Sequence, residues 1–252
     1  ENYVPVSFKM WTQIIPIGGV SATWNDFITS DSGIMLPKSH ILSIFGMKID
    51  MGKVKAYNPK ADKVANNMLK AIKHEAYKET RYIEWGYKGK RFYKWDKQQH
   101  IVDVRWKDAR VVLHPNDLSK STAYLNDKEI PFNNNLVSRA LKFFNNDSFW
   151  LVAPHKLFEP GIYRSIKMIN GREALHVKYS KGGTTPGDSY TWLLDKNYMP
   201  THYQMYVQAM KKKGTTVTWE NWIQTTSGTL LPKNHRYLSG KEINMGLVKG
   251  YN

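Results

Sequence analysis

Apolar and polar positions alternate with a period of two through most of this chain. Ile83, Trp85 and Tyr87 fall on one face of a strand, as do Val102, Val104 and Trp106, then Leu175, Val177 and Tyr179, then Tyr190, Trp192 and Leu194, and last Tyr203, Met205, Val207 and Ala209. Asp103 and Arg105, His176 and Lys178, and His202, Gln204 and Gln208 take the opposite face. Turn chemistry separates the runs at Lys88-Gly89, Lys107-Asp108, Asn126-Asp127, Asn170-Gly171, Asp195-Lys196-Asn197 and Ser227-Gly228. Two stretches switch to helical spacing. Residues 61–73 place Ala61, Val64, Ala65, Met68, Ala71 and Ile72 on one side, and residues 134–145 do the same with Leu136, Val137, Ala140, Leu141 and Phe144 behind an Asn-rich start that can supply a cap. The pattern predicts a mainly β, α+β fold: an antiparallel meander of roughly ten strands per unit, two short amphipathic helices and no βαβ unit.

Helices of about thirteen residues are only about 20 Å long and cannot cover one face of such a sheet. The sheet is therefore expected to curl on itself with the helices as a lid. An aromatic-rich inner face then either packs solid or encloses a cavity for an apolar ligand. The candidate cavity residues are Ile83, Trp85, Val102, Val104, Trp106, Leu175, Val177, Trp192, Met205 and Val207.

The pattern also repeats. Residues Tyr3 to Asn58 align with Tyr198 to Asn252, with one deletion between His235 and Gly240 and about twenty identical positions. These include Pro5/Pro200, Met10/Met205, Trp24/Trp219, Gly33/Gly228, Leu36-Pro37-Lys38/Leu231-Pro232-Lys233, His40/His235 and Val54-Lys55/Val248-Lys249. The spacing is too long for a solenoid and reads as duplication of a whole domain. Residues 59–252 are then one complete unit, and residues 1–58 are the last, β-rich part of a preceding one. Alone they can hardly bury a core, so either more of that unit precedes them or they pair onto the next unit.

Composition narrows the chemistry. Of 252 residues, 41% are hydrophobic and 13% aromatic, enough for a globular core, and no apolar run is long enough to cross a membrane as a helix. The absence of cysteine excludes a disulfide framework, a thiolate metal site and a thiol nucleophile. The net charge of +16 sits almost wholly in residues 59–252, dispersed except at Lys211-Lys212-Lys213. That is the pattern of a solvated face; nucleic acid is not expected, whereas an anionic lipid surface or an acidic partner is. The eight histidines lack metal-ligand spacing and read mostly as surface residues, with a turn role for His40 and His235. The loop Gly182-Gly183-Thr184-Thr185-Pro186-Gly187-Asp188-Ser189 leads into a strand rather than a helix, and no nucleophile elbow surrounds Ser189. No catalytic residue, metal or cofactor is expected. One loop differs between the copies: Ile14-Ile15-Pro16-Ile17-Gly18-Gly19 is apolar where Ala209-Met210-Lys211-Lys212-Lys213-Gly214 is cationic. Ile14, Ile15, Pro16, Ile17 and Lys211, Lys212, Lys213 are therefore candidates for docking a partner or a membrane surface.

Several runs carry a resemblance. Arg91-Phe92-Tyr93-Lys94-Trp95-Asp96, Asn146-Asp147-Ser148-Phe149-Trp150, Ala153-Pro154-His155-Lys156-Leu157-Phe158-Glu159-Pro160-Gly161, Thr185-Pro186-Gly187-Asp188-Ser189-Tyr190 and Ile14-Ile15-Pro16-Ile17-Gly18-Gly19 resemble a poorly characterised family of Bacteroidetes envelope proteins. In its order of elements that family looks like the lipoprotein-carrier (LolA/LolB-like) superfamily. The resemblance implies an unclosed antiparallel β-barrel with a helical lid over an apolar cavity, in the periplasm or at the outer membrane. It implies a non-enzymatic protein that binds or transfers a lipid or lipoprotein acyl chain. The duplication departs from a single-domain carrier and leaves two rivals: a structural or assembly component that docks another envelope protein, and a carbohydrate-binding module.

Overall fold

The computed structural model describes residues 3–12, 15–30, 32–180, 187–208 and 214–252. The chain divides into two compact units, Glu1–Pro59 and Lys60–Asn252. The first consists of three antiparallel ribbons: β1 (Ser7–Thr12) with β2 (Ile15–Thr23), β3 (Ile28–Thr29) with β4 (Met35–Leu36), and β5 (Ser39–Ile41) with β6 (Lys48–Asp50). Val20, Ala22 and Leu42 form its small core, with Met10 and Ile44 packed against them.

The second unit opens with α1 (Pro59–Ala71) and the short α2 (His74–Glu79). A meander follows: β7 (Tyr82–Tyr87), β8 (Arg91–Asp96), β9 (Ile101–Trp106), β10 (Ala109–Leu113), β11 (Thr122–Leu125) and β12 (Lys128–Ile130). The long α3 (Asn134–Val152) leads to a second meander, β13 (Ile162–Ile169), β14 (Arg172–Tyr179), β15 (Ser189–Leu194), β16 (Pro200–Tyr206) and β17 (Thr215–Thr218). The chain ends in β18 (Ile223–Gln224), β19 (Leu230–Leu231), β20 (Asn234–Arg236), β21 (Glu242–Asn244) and β22 (Lys249–Tyr251). The fold is mainly β, with few helices and unclosed antiparallel sheets. Among the described residues there is no helix long and apolar enough to cross a membrane.

The expected single sheet is two sheets. One has seven strands in the order β12-β11-β10-β9-β8-β7-β22, the other five in the order β13 to β17. The terminal ribbons join them. Gly86 and Lys88 N–H groups on and just after β7 donate to the Met245 and Asn244 carbonyls at the end of β21, each at 2.8 Å, and Val217 on β17 bridges to Tyr237 after β20. The belt is left open between β12 and β13, and α3 spans that break in sequence. The sheet curls as the pattern predicts, because the turns are tight: Lys88 and Gly89 both have positive φ, 53° and 63°, the twist a two-residue hairpin needs.

The second helix is nineteen residues rather than the twelve that periodicity suggests. It starts as expected, with Asn133 Oδ1 accepting from the Leu136 N–H at 3.0 Å. It continues through Asn145-Asn146-Asp147 because Asp147 is wholly buried and held by Arg91, whose Nε and Nη2 donate to its two oxygens at 2.5 and 2.9 Å. The Tyr93 hydroxyl and the Asn146 amide donate to the same carboxylate. Tertiary pairing overrides the local preference of these residues for a helix end.

Candidate functional site

The inner face of the curled sheets is the site the sequence points to. Ile83 and Trp85 on β7, Val102, Val104 and Trp106 on β9, Leu175 and Val177 on β14, Trp192 on β15 and Met205 on β16 are all buried in one hydrophobic core. Val207 lies just past the end of β16, half-buried and packed on that core. The structure thus brings all ten together, and α3 lies over them. Phe144 sits 6.3 Å from Trp85 and 5.3 Å from Trp95, and Phe143 lies 5.5 Å from Trp106, on the seven-stranded sheet. Further along, Phe149 approaches Tyr190 at 4.7 Å and Trp150 approaches Tyr203 at 5.8 Å, on the five-stranded sheet. One helix therefore covers both halves of the concave face.

The aromatic density rises toward the terminal ribbons. Trp192, Tyr203, Trp219 and His235 form a linked group, with centroids 5.2 Å apart for Trp192–Tyr203, 4.9 Å for Trp192–Trp219 and 4.4 Å for Trp219–His235. On this inner face the Nε1 atoms of Trp85, Trp192 and Trp219 and the Tyr203 hydroxyl have no hydrogen-bond partner among the described residues. His235 Nδ1–H donates to the Thr218 carbonyl at 3.1 Å. Burial pushes His235 down to about 4 and raises Tyr203 well above its ordinary value.

A second polar cluster sits beside α2. His155 Nε2–H donates to the Leu230 carbonyl at 3.2 Å, so its Nδ1 accepts from His74 Nδ1 at 3.3 Å. Tyr77 stacks on His155 at 4.1 Å, and Lys97 lies over the Tyr77 ring at 3.8 Å. Burial lowers His155 to about 3 and Lys97 to about 8. Next to this cluster a surface groove of about 350 Å³ is lined by Asn66, Leu69, Lys70, Lys73, His74 and Glu75, so that it carries both signs of charge. Arg164 is also buried: it donates to Asp62 at 2.7 Å and to the Leu157 carbonyl at 2.7 Å, pinning α1 to the segment after α3.

Two expectations are corrected. His155, His176 and His235 are buried rather than on the surface, and His176, on the outer face by alternation, is covered by Tyr206 and bonded to the Thr191 hydroxyl at 2.8 Å. His235 does not serve a turn; it cross-links the end of β17 to β20 from inside the core. The motif pieces 91–96 and 146–150 meet through the Arg91–Asp147 pair, a structural clamp beneath α3. Of the candidate docking residues, Ile14, Lys211, Lys212 and Lys213 lie outside the described residues. Ile15, Pro16 and Ile17 open β2, with their side chains outside the description. Tyr203, Trp219 and His235 join the inner face although they are not among the ten cavity candidates; the repeat itself marks Trp219 and His235.

No family model matches the chain, and no curated protein matches it. Among solved structures, a DUF1329 family protein from Desulfovibrio piger ATCC 29098 aligns over 75% of this chain and 92% of its own. The TM-score is 0.40 and the identity 10%. Similarity at that level assigns no function to this chain.

Proposed function

We propose that the protein is a non-enzymatic binder of an apolar, acyl-chain ligand, received between the curled sheets in the space that α3 occupies. The observation that carries this reading is the set of buried donors on the inner face that have no acceptor among the described residues: three indole N–H groups and the Tyr203 hydroxyl. A buried donor left unpaired costs about 1–3 kcal/mol, and the ester or amide carbonyl of a lipid would satisfy it. Each methylene that replaces an α3 contact brings about 0.8 kcal/mol of burial, so an acyl chain can compete with the helix. Under this reading α3 is the lid. The groove beside α2, lined by Leu69 with Lys70 and Lys73 on one hand and Glu75 on the other, receives the polar headgroup. A lipoprotein acyl chain as the natural ligand, and the periplasm or outer membrane as the place, follow from the motif resemblance.

The test is a titration of the full chain with a dansyl-labelled undecanoic acid, exciting tryptophan and reading energy transfer. A saturable 1:1 signal that weakens in Trp192→Phe supports the proposal. The absence of saturable transfer up to about 100 µM, the range in which single acyl chains bind membranes, refutes it.

A further inference from the structure

The two copies of the repeated segment fold alike, position by position. Phe8 pairs with Ala22 and Met10 with Val20 as Tyr203 pairs with Val217 and Met205 with Thr215. Ile28 faces Leu36 as Ile223 faces Leu231, and His40 faces Ile49 as His235 faces Ile243. Side-chain bonds repeat too. His40 Nδ1–H donates to the Thr23 carbonyl at 2.9 Å, as His235 does to that of Thr218 at 3.1 Å. The Ile41 and Arg236 N–H groups donate to the Thr23 and Thr218 hydroxyls at 3.0 and 2.8 Å.

What differs is the cover. In the second unit Tyr203, Trp219, Leu231, His235, Ile243 and Met245 are each at most 2% exposed. Their counterparts in the first unit are not: Phe8, Ile49 and Met51 are 37%, 38% and 52% exposed, and Trp24, Leu36 and His40 are half-buried. The surface that fits this face is visible in the same chain. It consists of α3, whose Trp150 lies 5.3 Å from His235, and the edge of β7, where the Gly86 N–H donates to the Met245 carbonyl at 2.8 Å.

We infer that residues 1–58 dock through this face onto a second helix-and-sheet body built like residues 60–197, one that no terminal segment of its own already covers. The body of this chain is occupied by residues 198–252, and so is that of any second copy. The partner must therefore offer an open strand edge beside an aromatic helix face, an apolar surface matching the Phe8, Ile49 and Met51 side.

The test places an added copy of residues 59–197 directly before Tyr3 of the full chain, so that Tyr3 follows it as Tyr198 follows Asn197. Oxidation of individual methionines by dilute peroxide is then mapped by mass. In the 252-residue chain Met51 should oxidise nearly as fast as Met168, which is 61% exposed, and Met245 slowly. In the extended chain Met51 should slow by about tenfold or more. Trp150→Ala in the added copy alone should restore the Met51 rate and leave Met245 unchanged. Equal Met51 rates in both chains, with the added copy folded, would overturn the inference. So would protection of Met51 in the 252-residue chain itself: lost on dilution, it would name a second copy as the occupant, and kept on dilution, it would mean that residues 60–252 cover the face. A pair of variants reads the face without any extension. Ile49→Asp should leave the melting temperature of the 252-residue chain within about 2 °C, whereas Ile243→Asp should unfold the second unit; equal losses from the two would overturn the inference as well.

Discussion

Asp147→Ala should be among the most damaging single substitutions in this protein. Asp147 is wholly buried, and its two oxygens take the Nε and Nη2 of Arg91 together with the Tyr93 hydroxyl and the Asn146 amide. Removing the carboxylate leaves a guanidinium whose side chain is only 20% exposed with no counter-charge, and a buried phenol with no acceptor. Breaking one side of such a pair costs about 3–5 kcal/mol, because the remaining charge keeps its desolvation penalty. For a unit of this size that lowers the melting temperature by about 6–20 °C. The double variant Arg91→Met/Asp147→Leu removes both charges and should recover most of the loss. Thermal unfolding followed by near-ultraviolet circular dichroism, which reads the aromatic packing around α3, is the assay. If Asp147→Ala melts within about 2 °C of the parent protein, or if the double variant is as unstable as the single, the clamp is not what extends α3.

Acid should destabilise the second unit before the carboxylates titrate. The folded chain holds His235 at about 4 and His155 at about 3 against about 6.5 when unfolded, so the unfolded state takes up protons that the folded interior refuses. This stability is fully present above pH 6.5 and is lost as pH falls toward 4, at about 2 kcal/mol per histidine between pH 6.5 and 5; urea unfolding at pH 7 and 5 reads it, and equal midpoints would contradict it. Tyr203→Phe deletes a buried hydroxyl that has no partner among the described residues, so unfolding free energy should change by less than about 1 kcal/mol while affinity for the acyl probe falls; a large stability loss would mean that the hydroxyl is bonded. Asn133→Ala removes the cap of α3 and should cost about 1 kcal/mol in the same unfolding assay, and no loss would assign the start of the helix to packing alone.

The strand faces were legible because burial and alternation agree: Val102 and Val104 are fully buried, while Asp103 between them accepts hydrogen bonds from Arg105 and Arg110 on the outer side. The start of α3 was legible from Asn133. Its end was not, because the run Asn145-Asn146-Asp147-Ser148 reads as a break, and it is the distant Arg91 and Tyr93, bonded to Asp147, that hold it helical. The ribbons β18 to β21 were hidden by their length, two or three residues each, too short for a period to show. Histidine burial was illegible for another reason. His235 is kept inside by a carbonyl seventeen residues earlier and by Trp219, and local sequence carries no sign of either.

The most direct test of an acyl ligand between the sheets and α3 is the native mass spectrum of the protein isolated without detergent from the cells that make it. The account predicts an adduct of several hundred daltons that dissociates under denaturing conditions, is identified as lipid, and is diminished in Trp192→Phe. A bare chain at every collision energy, from protein that is folded by circular dichroism, would contradict it.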